Sequence, residues 1–78
     1  MSAVVRVGEV LWEMELAGGY TASVVRESRT EGTLSLISKS GILKESLSVT
    51  FDSVVTQQHM EEFELIARSL HDRQEGTR

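Results

Sequence analysis

The chain has 78 residues, carries a formal net charge of −4 and contains no cysteine. A chain of this size forms one small domain near the lower limit for a self-sufficient core, and such domains commonly rely on a staple or a partner subunit. Without cysteine, a disulfide, a thiolate metal site and a cysteine nucleophile are excluded, which leaves oligomerisation as the expected supplement. The acidic balance disfavours nucleic acid, because its phosphates are bound by Lys and Arg.

The sequence also bears on the location of the protein. It has no apolar run long enough to span a bilayer. The first ten residues lack the basic region and apolar core of a signal peptide. We therefore expect a cytoplasmic protein that makes no membrane contact.

Two parts of the chain differ in hydrophobic period. Residues 4–51 alternate with a period of two between glycine-containing turns, whereas residues 57–73 follow a helical period. This pattern predicts an α+β domain with a four-stranded antiparallel meander followed by one C-terminal helix on one face of the sheet (ββββα). The single domain is expected to cover residues 1–74, with residues 75–78 as a frayed tail.

The register of the first hairpin depends on the length of its turn. A two-residue turn would pair Leu16 with Thr21 and so mix apolar with polar side chains. A three-residue loop over residues 17–19 instead pairs Leu16 with Tyr20 and gathers the apolar set on one face. Gly19 supplies the left-handed residue that closes such a loop. We predict the three-residue loop, with a core face formed by Val10, Trp12, Met14, Leu16, Tyr20, Ala22 and Val24.

The other turns are predicted on the same principles. Residues 30–32 fit a second three-residue loop with glycine in its last position. Residues 40–41 fit a two-residue Ser-Gly turn that places Leu47 beside Leu34. Gly8 is expected at a β-bulge that returns the preceding valines to the core face.

The helix is predicted to begin after Thr56, which can serve as its N-cap. Glu61 and Glu62 then lie near its positive end. Leu65 falls off the apolar stripe that faces the sheet. That stripe consists of Met60, Phe63, Ile66, Ala67 and Leu70.

The predicted register places an apolar row on the sheet face without the helix. Leu11, Val25 and Ile37 fall in one row across three strands, and Lys44 completes it on the fourth. A contiguous apolar row with a charged rim favours an interface, isologous in a homodimer or formed with another protein. The alternative is a set of scattered surface aliphatic residues, which strands commonly carry. The expected interface residues are Leu11, Val25, Ile37, Ile42, Lys44, Glu13 and Glu27.

A charged pair is predicted on the core face. Arg26 and Glu45 flank Leu36 in one row, about 10 Å apart between backbones, so their long side chains can meet. A peripheral ion pair of small energetic value is the favoured interpretation. Contact with a polar ligand or a partner at the open end of the sheet is the alternative.

The residue pattern indicates no catalytic site. His59 and His71 lie about 120° apart around a helix and do not converge. The spacing of His59 and Glu62 fits two metal ligands, but no third ligand is suggested. The serines lack a recognisable base, and no glycine-rich stretch joins a strand to a helix. We expect no enzyme, no cofactor and no metal.

Three functions remain open at this point. The leading hypothesis is a small non-enzymatic interaction protein, homodimeric through the helix-free sheet face. The order of four strands and one helix resembles the PC4-like single-strand-binding domains, and this implies a nucleic-acid-binding dimer as the alternative, with basic groups near Arg26, Arg29 and Lys39. The predicted core location of the aromatic residues disfavours base stacking. The third is an acidic decoy inhibitor of another protein, with carboxylates from Glu9, Glu13, Glu15 and Glu27.

Overall fold

Four antiparallel strands and one helix make up the structure, a computed structural model that describes residues 7–76. The strands follow one another in the sheet in chain order, so the first and fourth form its two edges. This arrangement confirms the predicted α+β fold. The elements are β1 (Val10–Glu15), β2 (Thr21–Arg26), β3 (Glu31–Ile37), β4 (Leu43–Thr50) and α1 (Gln57–Gly76).

The first hairpin has the predicted register. Trp12 pairs with Val24, and the backbone N–H of Leu16 donates to the Tyr20 carbonyl at 2.8 Å. A 3-10 turn at Ala17–Gly19 connects the two strands, with both glycines at positive φ. The three-residue loop is confirmed, and the apolar side chains of β1 and β2 from Trp12 onward share the core face.

The start of β1 differs from the prediction. Leu11 is the additional residue of a bulge between two regular pairs of β1 and β2. Gly8, with a φ of 89°, lies in the turn before the strand. Val7 and Val10 are 68% and 57% exposed, so they do not return to the core face as predicted. Val5 lies outside the described residues.

The second turn lies two residues earlier than predicted. Residues 28–30 form the loop, and the flanking residues are joined by a backbone hydrogen bond of 2.9 Å. Val25 therefore pairs with Thr33, and Ile37 pairs with Thr21. An even displacement keeps each side chain on its predicted face but changes its neighbours along the sheet.

The role of Gly32 explains this error. Gly32 belongs to β3, and a Cβ at this position would lie 2.7 Å from the Val25 carbonyl oxygen. This glycine therefore permits close packing and does not mark a turn. The actual loop is stabilised by the last residue of β2, because the Arg26 guanidinium donates to the carbonyls of Ser28 and Arg29 at 3.2 and 2.8 Å.

The third turn is one residue longer than predicted. Residues 39–41 form the loop, and its flanking residues share a backbone hydrogen bond of 2.9 Å. The shifted register requires one additional residue in β4, which is Lys44. Beyond this bulge the predicted pairing of Leu34 with Leu47 is found.

The helix starts where the capping pattern predicts. The hydroxyl oxygen of Thr56 accepts the backbone N–H of His59 at 3.4 Å, as expected of an N-cap. Glu61 and Glu62 lie in the second turn of α1, and the first turn contains no acidic residue. The helix continues to Gly76 and so includes residues 75 and 76, which the sequence pattern assigns to a frayed tail.

The core lies between the sheet and α1. Phe63 is at its centre, with ring centroids 5.9 Å from Trp12 and 6.2 Å from Phe51. Leu65 is 69% exposed, in agreement with its predicted position off the apolar stripe. The buried apolar residues are Ala22, Val24, Leu34, Leu36, Val49, Phe51, Phe63, Ala67 and Leu70.

Candidate protein-interaction surface

The helix-free face does not carry the predicted apolar row. Since Ile37 pairs with Thr21, it lies four residues from Val25 along the strands, about 13 Å at the usual rise. Leu11, at the bulge of β1, packs against the core. The predicted row of Leu11, Val25 and Ile37 is therefore wrong, and the displaced second turn is the main cause.

Hydroxyl side chains occupy the middle of this face. Ser35 pairs with Ser23 on one side and with Ser46 on the other, and these pairs form the central row. Val25 and Ile37 are half-buried at opposite ends of the face. Pairing and the alternation of buried positions assign seven hydroxyl residues to it: Thr21, Ser23, Thr33, Ser35, Ser46, Ser48 and Thr50.

The other predicted interface residues lie around this polar centre. Glu13 pairs with Ser23 on the β1 edge and is exposed. Glu27 accepts a hydrogen bond of 3.1 Å from the Thr33 hydroxyl. At the opposite end Ile42 is 55% exposed, and Lys44 is also exposed. The structure thus separates the predicted set into several groups.

Arg26 and Glu45 are not in one row. Arg26 is 6% exposed and, besides the two carbonyls of the second loop, donates to the carbonyl of Ser53 at 3.4 Å. Glu45 accepts a hydrogen bond of 3.0 Å from the Gln74 side chain, and Arg73 lies 3.7 Å from its other oxygen. Each charge therefore connects strand to helix or loop, and the predicted pair does not form.

The basic groups of the nucleic-acid hypothesis are also dispersed. Arg26 is buried, Arg29 lies in loop 28–30, and Lys39 lies in loop 39–41. The two loops are at opposite ends of β3, about 23 Å apart for a strand of this length. Glu9, one of the proposed decoy carboxylates, lies 3.6 Å from Arg26.

The free edge of β4 presents unpaired backbone groups. Phe51 donates its backbone N–H to the Thr30 carbonyl at 2.9 Å, which fixes the alternation of the β3–β4 ladder. Ser46, Ser48 and Thr50 therefore direct their N–H and C=O groups away from β3. Among the described residues no strand pairs with this side of β4. The edge is regular over residues 45–50, beyond the bulge at Lys44.

The β1 edge is less suited to pairing. By the same alternation Glu13 and Glu15 direct their backbone groups outward, and each carries an exposed carboxylate. The bulge at Leu11 interrupts the regular ladder of this strand. Charged side chains and bulges are the common means by which sheet edges avoid association. The two edges of the sheet therefore differ, and β4 is the open one.

A groove runs beside the open edge. It has a volume of about 230 Å³ and lies between β4 and the first half of α1. Val49 and Phe63, both nearly buried, contribute apolar walls, and Ile66 is half-buried. The lining residues are Ser48, Val49, Thr50, Glu62, Phe63 and Ile66. A strand added to β4 would direct alternate side chains toward this groove.

The two histidines have structural partners that the sequence did not predict. His71 is buried, its Nε2 lies 2.8 Å from the Ala17 carbonyl oxygen, and its ring packs edge-on to Tyr20 at 5.1 Å. His59 Nδ1 accepts the backbone N–H of Thr56 at 3.1 Å. These contacts join α1 to the first turn and close its N-terminus. Periodicity alone gives no signal for the His71 contact, which joins residues 54 apart in the chain.

The composition of residues 7–76 bears on metal binding and on membrane insertion. Within them no group of three or more His, Cys, Asp or Glu residues could hold a metal ion. The helix they contain lacks the apolar length needed to cross a membrane. Comparisons with protein-family models, curated proteins and solved structures give no match for this chain.

Proposed function

We propose that this protein is a non-enzymatic interaction protein that binds an extended polypeptide segment along the free edge of β4. The observation that carries the proposal is the regular, unpaired edge over residues 45–50 with a groove of mixed polar and apolar lining beside it. In strand addition, main-chain hydrogen bonds provide affinity and pockets for alternate side chains provide specificity. The β4 edge offers both.

The helix-free face is a weaker candidate for the same function. Four strands of six residues span about 19 by 20 Å, or about 380 Å². Stable protein interfaces bury about 800 Å² on each partner, with an apolar centre. The centre of this face consists of Ser23, Ser35 and Ser46. The face therefore offers less area and less apolar surface than a stable interface needs.

A pair of proline variants tests the proposal. Ser48→Pro removes an outward N–H from β4 without removing a bond to β3, because proline is tolerated where the N–H faces solvent. Glu13→Pro makes the matched change on the β1 edge. Linear peptides selected against sparsely immobilised wild-type protein are expected to bind Ser48→Pro at least tenfold more weakly and Glu13→Pro unchanged.

Two results would contradict strand addition at β4. Peptides that bind Ser48→Pro as tightly as the wild type would overturn the proposal, as would peptides that lose affinity for Glu13→Pro alone. Circular dichroism establishes that both variants are folded. Ser48→Ala, which keeps the N–H, provides a second control and is expected to bind like the wild type.

A further inference from the structure

We infer that the occupant of the β4 edge is a second copy of this chain, paired antiparallel to β4 about a twofold axis at Ser48. The inference rests on the proposed function and names its partner. An axis perpendicular to the sheet gives a continuous eight-stranded sheet with both helices on one face. Such isologous pairing uses the same surface on both copies. It also enlarges a core that is small for an independent domain.

The hydrogen-bonding groups of the edge are self-complementary in this register. Ser48 meets Ser48 of the second copy, and Ser46 meets Thr50 of the second copy on each side of the axis. All three residues direct their backbone groups outward, so each of the three pairs exchanges two N–H···O bonds. If the axis lay one residue before or after Ser48, only two such hydrogen-bonded pairs would form among these residues.

Charge complementarity selects the same register. Lys44, the bulge residue of β4, precedes Ser46 by two residues, and Asp52, which lies 4.0 Å from His59 of its own chain, follows Thr50 by two, so this register brings the Lys44 end of each copy beside the Asp52 end of the other. Both side chains project into solvent in the single chain, with Asp52 89% exposed. The neighbouring registers place Thr50 or Val54 opposite Lys44 instead. Opposite charges across an interface fix its register more than its affinity.

The groove beside β4 is covered by the same arrangement. On the core side of the sheet, Leu47 of one copy pairs with Val49 of the other. Leu47 is only half-buried in the single chain, whereas Val49 is a wall of the groove. The second copy therefore places its Leu47 at the mouth of the groove, near Ile66. Each copy thus covers the half-buried Leu47 and Ile66 of the other.

Cysteine cross-linking tests the position of the axis. The natural chain has no cysteine, so a single-cysteine variant forms a disulfide only between copies. Directly hydrogen-bonded antiparallel residues have Cα atoms about 5.5 Å apart, within the range of a disulfide. Ser48→Cys is expected to give a disulfide-linked dimer under mild oxidation at low micromolar concentration. Ser23→Cys, at the centre of the helix-free face, is expected to remain uncross-linked, and the reverse result would overturn the inference.

A charge exchange tests the register. Lys44→Glu and Asp52→Lys each place like charges together and are expected to raise the dimer dissociation constant several-fold, measured by sedimentation equilibrium. The double variant restores opposite charges and should return to within about twofold of the wild type. Additive weakening in the double variant would contradict the register.

Failure of this inference is separable from failure of the proposed function. A wild type that is monomeric in sedimentation, yet selects peptides that require the Ser48 N–H, would remove the second copy as occupant and leave strand addition in place. A wild-type dimer that Ser48→Pro leaves intact, with no Ser48-dependent peptide selected, would overturn both.

Discussion

The Arg26 side chain connects three parts of the chain: loop 28–30, the segment that follows β4, and Glu9 before β1. Its guanidinium donates to carbonyls in loop 28–30 and to the Ser53 carbonyl, and it lies 5.2 Å from the centre of the Phe51 ring. Glu9 is 3.6 Å from its Nε, but the Glu9 side chain is 48% exposed. Hydrogen bonds from a buried charge to carbonyls contribute more than an ion pair open to water.

Substitution at this position separates the two contributions. Arg26→Met is expected to lower the free energy of unfolding by about 3 kcal/mol, because three carbonyls lose a charged donor. Glu9→Gln should cost less than about 1 kcal/mol, since the Glu9 carboxylate is half exposed to water. Urea denaturation followed by circular dichroism measures both. Equal losses would mean that the ion pair, and not the carbonyl contacts, holds Arg26.

Two glycines provide a second residue-scale test, because they are required for different reasons. Gly32→Ala places a Cβ 2.7 Å from the Val25 carbonyl oxygen, and such overpacking costs about 2–3 kcal/mol. Gly41→Ala meets nothing within 4 Å but must adopt a φ of 87°, at a cost of about 1 kcal/mol. Thermal unfolding of both variants should rank Gly32→Ala as the more damaging. The opposite order would place Gly32 outside a close contact.

At the scale of the elements, the sequence pattern predicts those parts of the fold that depend on local alternation. The first hairpin follows from apolar periodicity and from Gly19, and α1 follows from its stripe and from Thr56. These features need only neighbouring residues. They are therefore visible in the sequence, and they are confirmed.

The second turn depends on side-chain hydrogen bonds that hydrophobic alternation and glycine positions do not reveal. Loop 28–30 has no glycine and is held by Arg26, the last residue of β2. Gly32 instead allows β3 to pack closely against β2. A glycine can mark either a turn or a close approach, and only the surrounding fold decides between them. The wrong choice of turn displaced Val25 relative to Ile37. The row of Leu11, Val25 and Ile37 built on that pairing is therefore not formed, and Leu11, at the bulge of β1, packs against the core.

The helix cap is the element-scale prediction. Thr56→Ala removes the acceptor for the His59 N–H and should lower the free energy of unfolding by about 1 kcal/mol. Thr56→Ser keeps the hydroxyl oxygen and should remain within about 0.3 kcal/mol of the wild type. Chemical denaturation of the two variants provides the comparison. Equal losses would indicate that the threonine methyl group, and not the cap, is responsible.

At the scale of the whole molecule, the two edges of the sheet differ in their suitability for pairing with another strand. β1 is interrupted by a bulge and carries Glu13 and Glu15 toward solvent. β4 is regular beyond Lys44, has short hydroxyl side chains and borders the groove between β4 and α1. One edge is thus blocked and the other is open. This asymmetry favours a single strand-pairing partner over indiscriminate edge-to-edge association.

The proposed dimer would make the thermal stability depend on protein concentration. For a dimer of this size whose dissociation accompanies unfolding, a hundredfold increase in protein concentration should raise Tm by about 8 °C. Ser48→Pro should show a Tm independent of concentration. Differential scanning calorimetry over that range measures both. A constant wild-type Tm would indicate that unfolding is not coupled to association.

Dimerisation through the free edge of β4 is tested most directly by the solution mass. Light scattering after size exclusion measures it for the wild type, Ser48→Pro and Glu13→Pro. We expect dimers for the wild type and for Glu13→Pro, and a folded monomer for Ser48→Pro, because only the β4 edge pairs with a second copy. A dimeric Ser48→Pro would contradict the assignment of the interface to the free edge of β4.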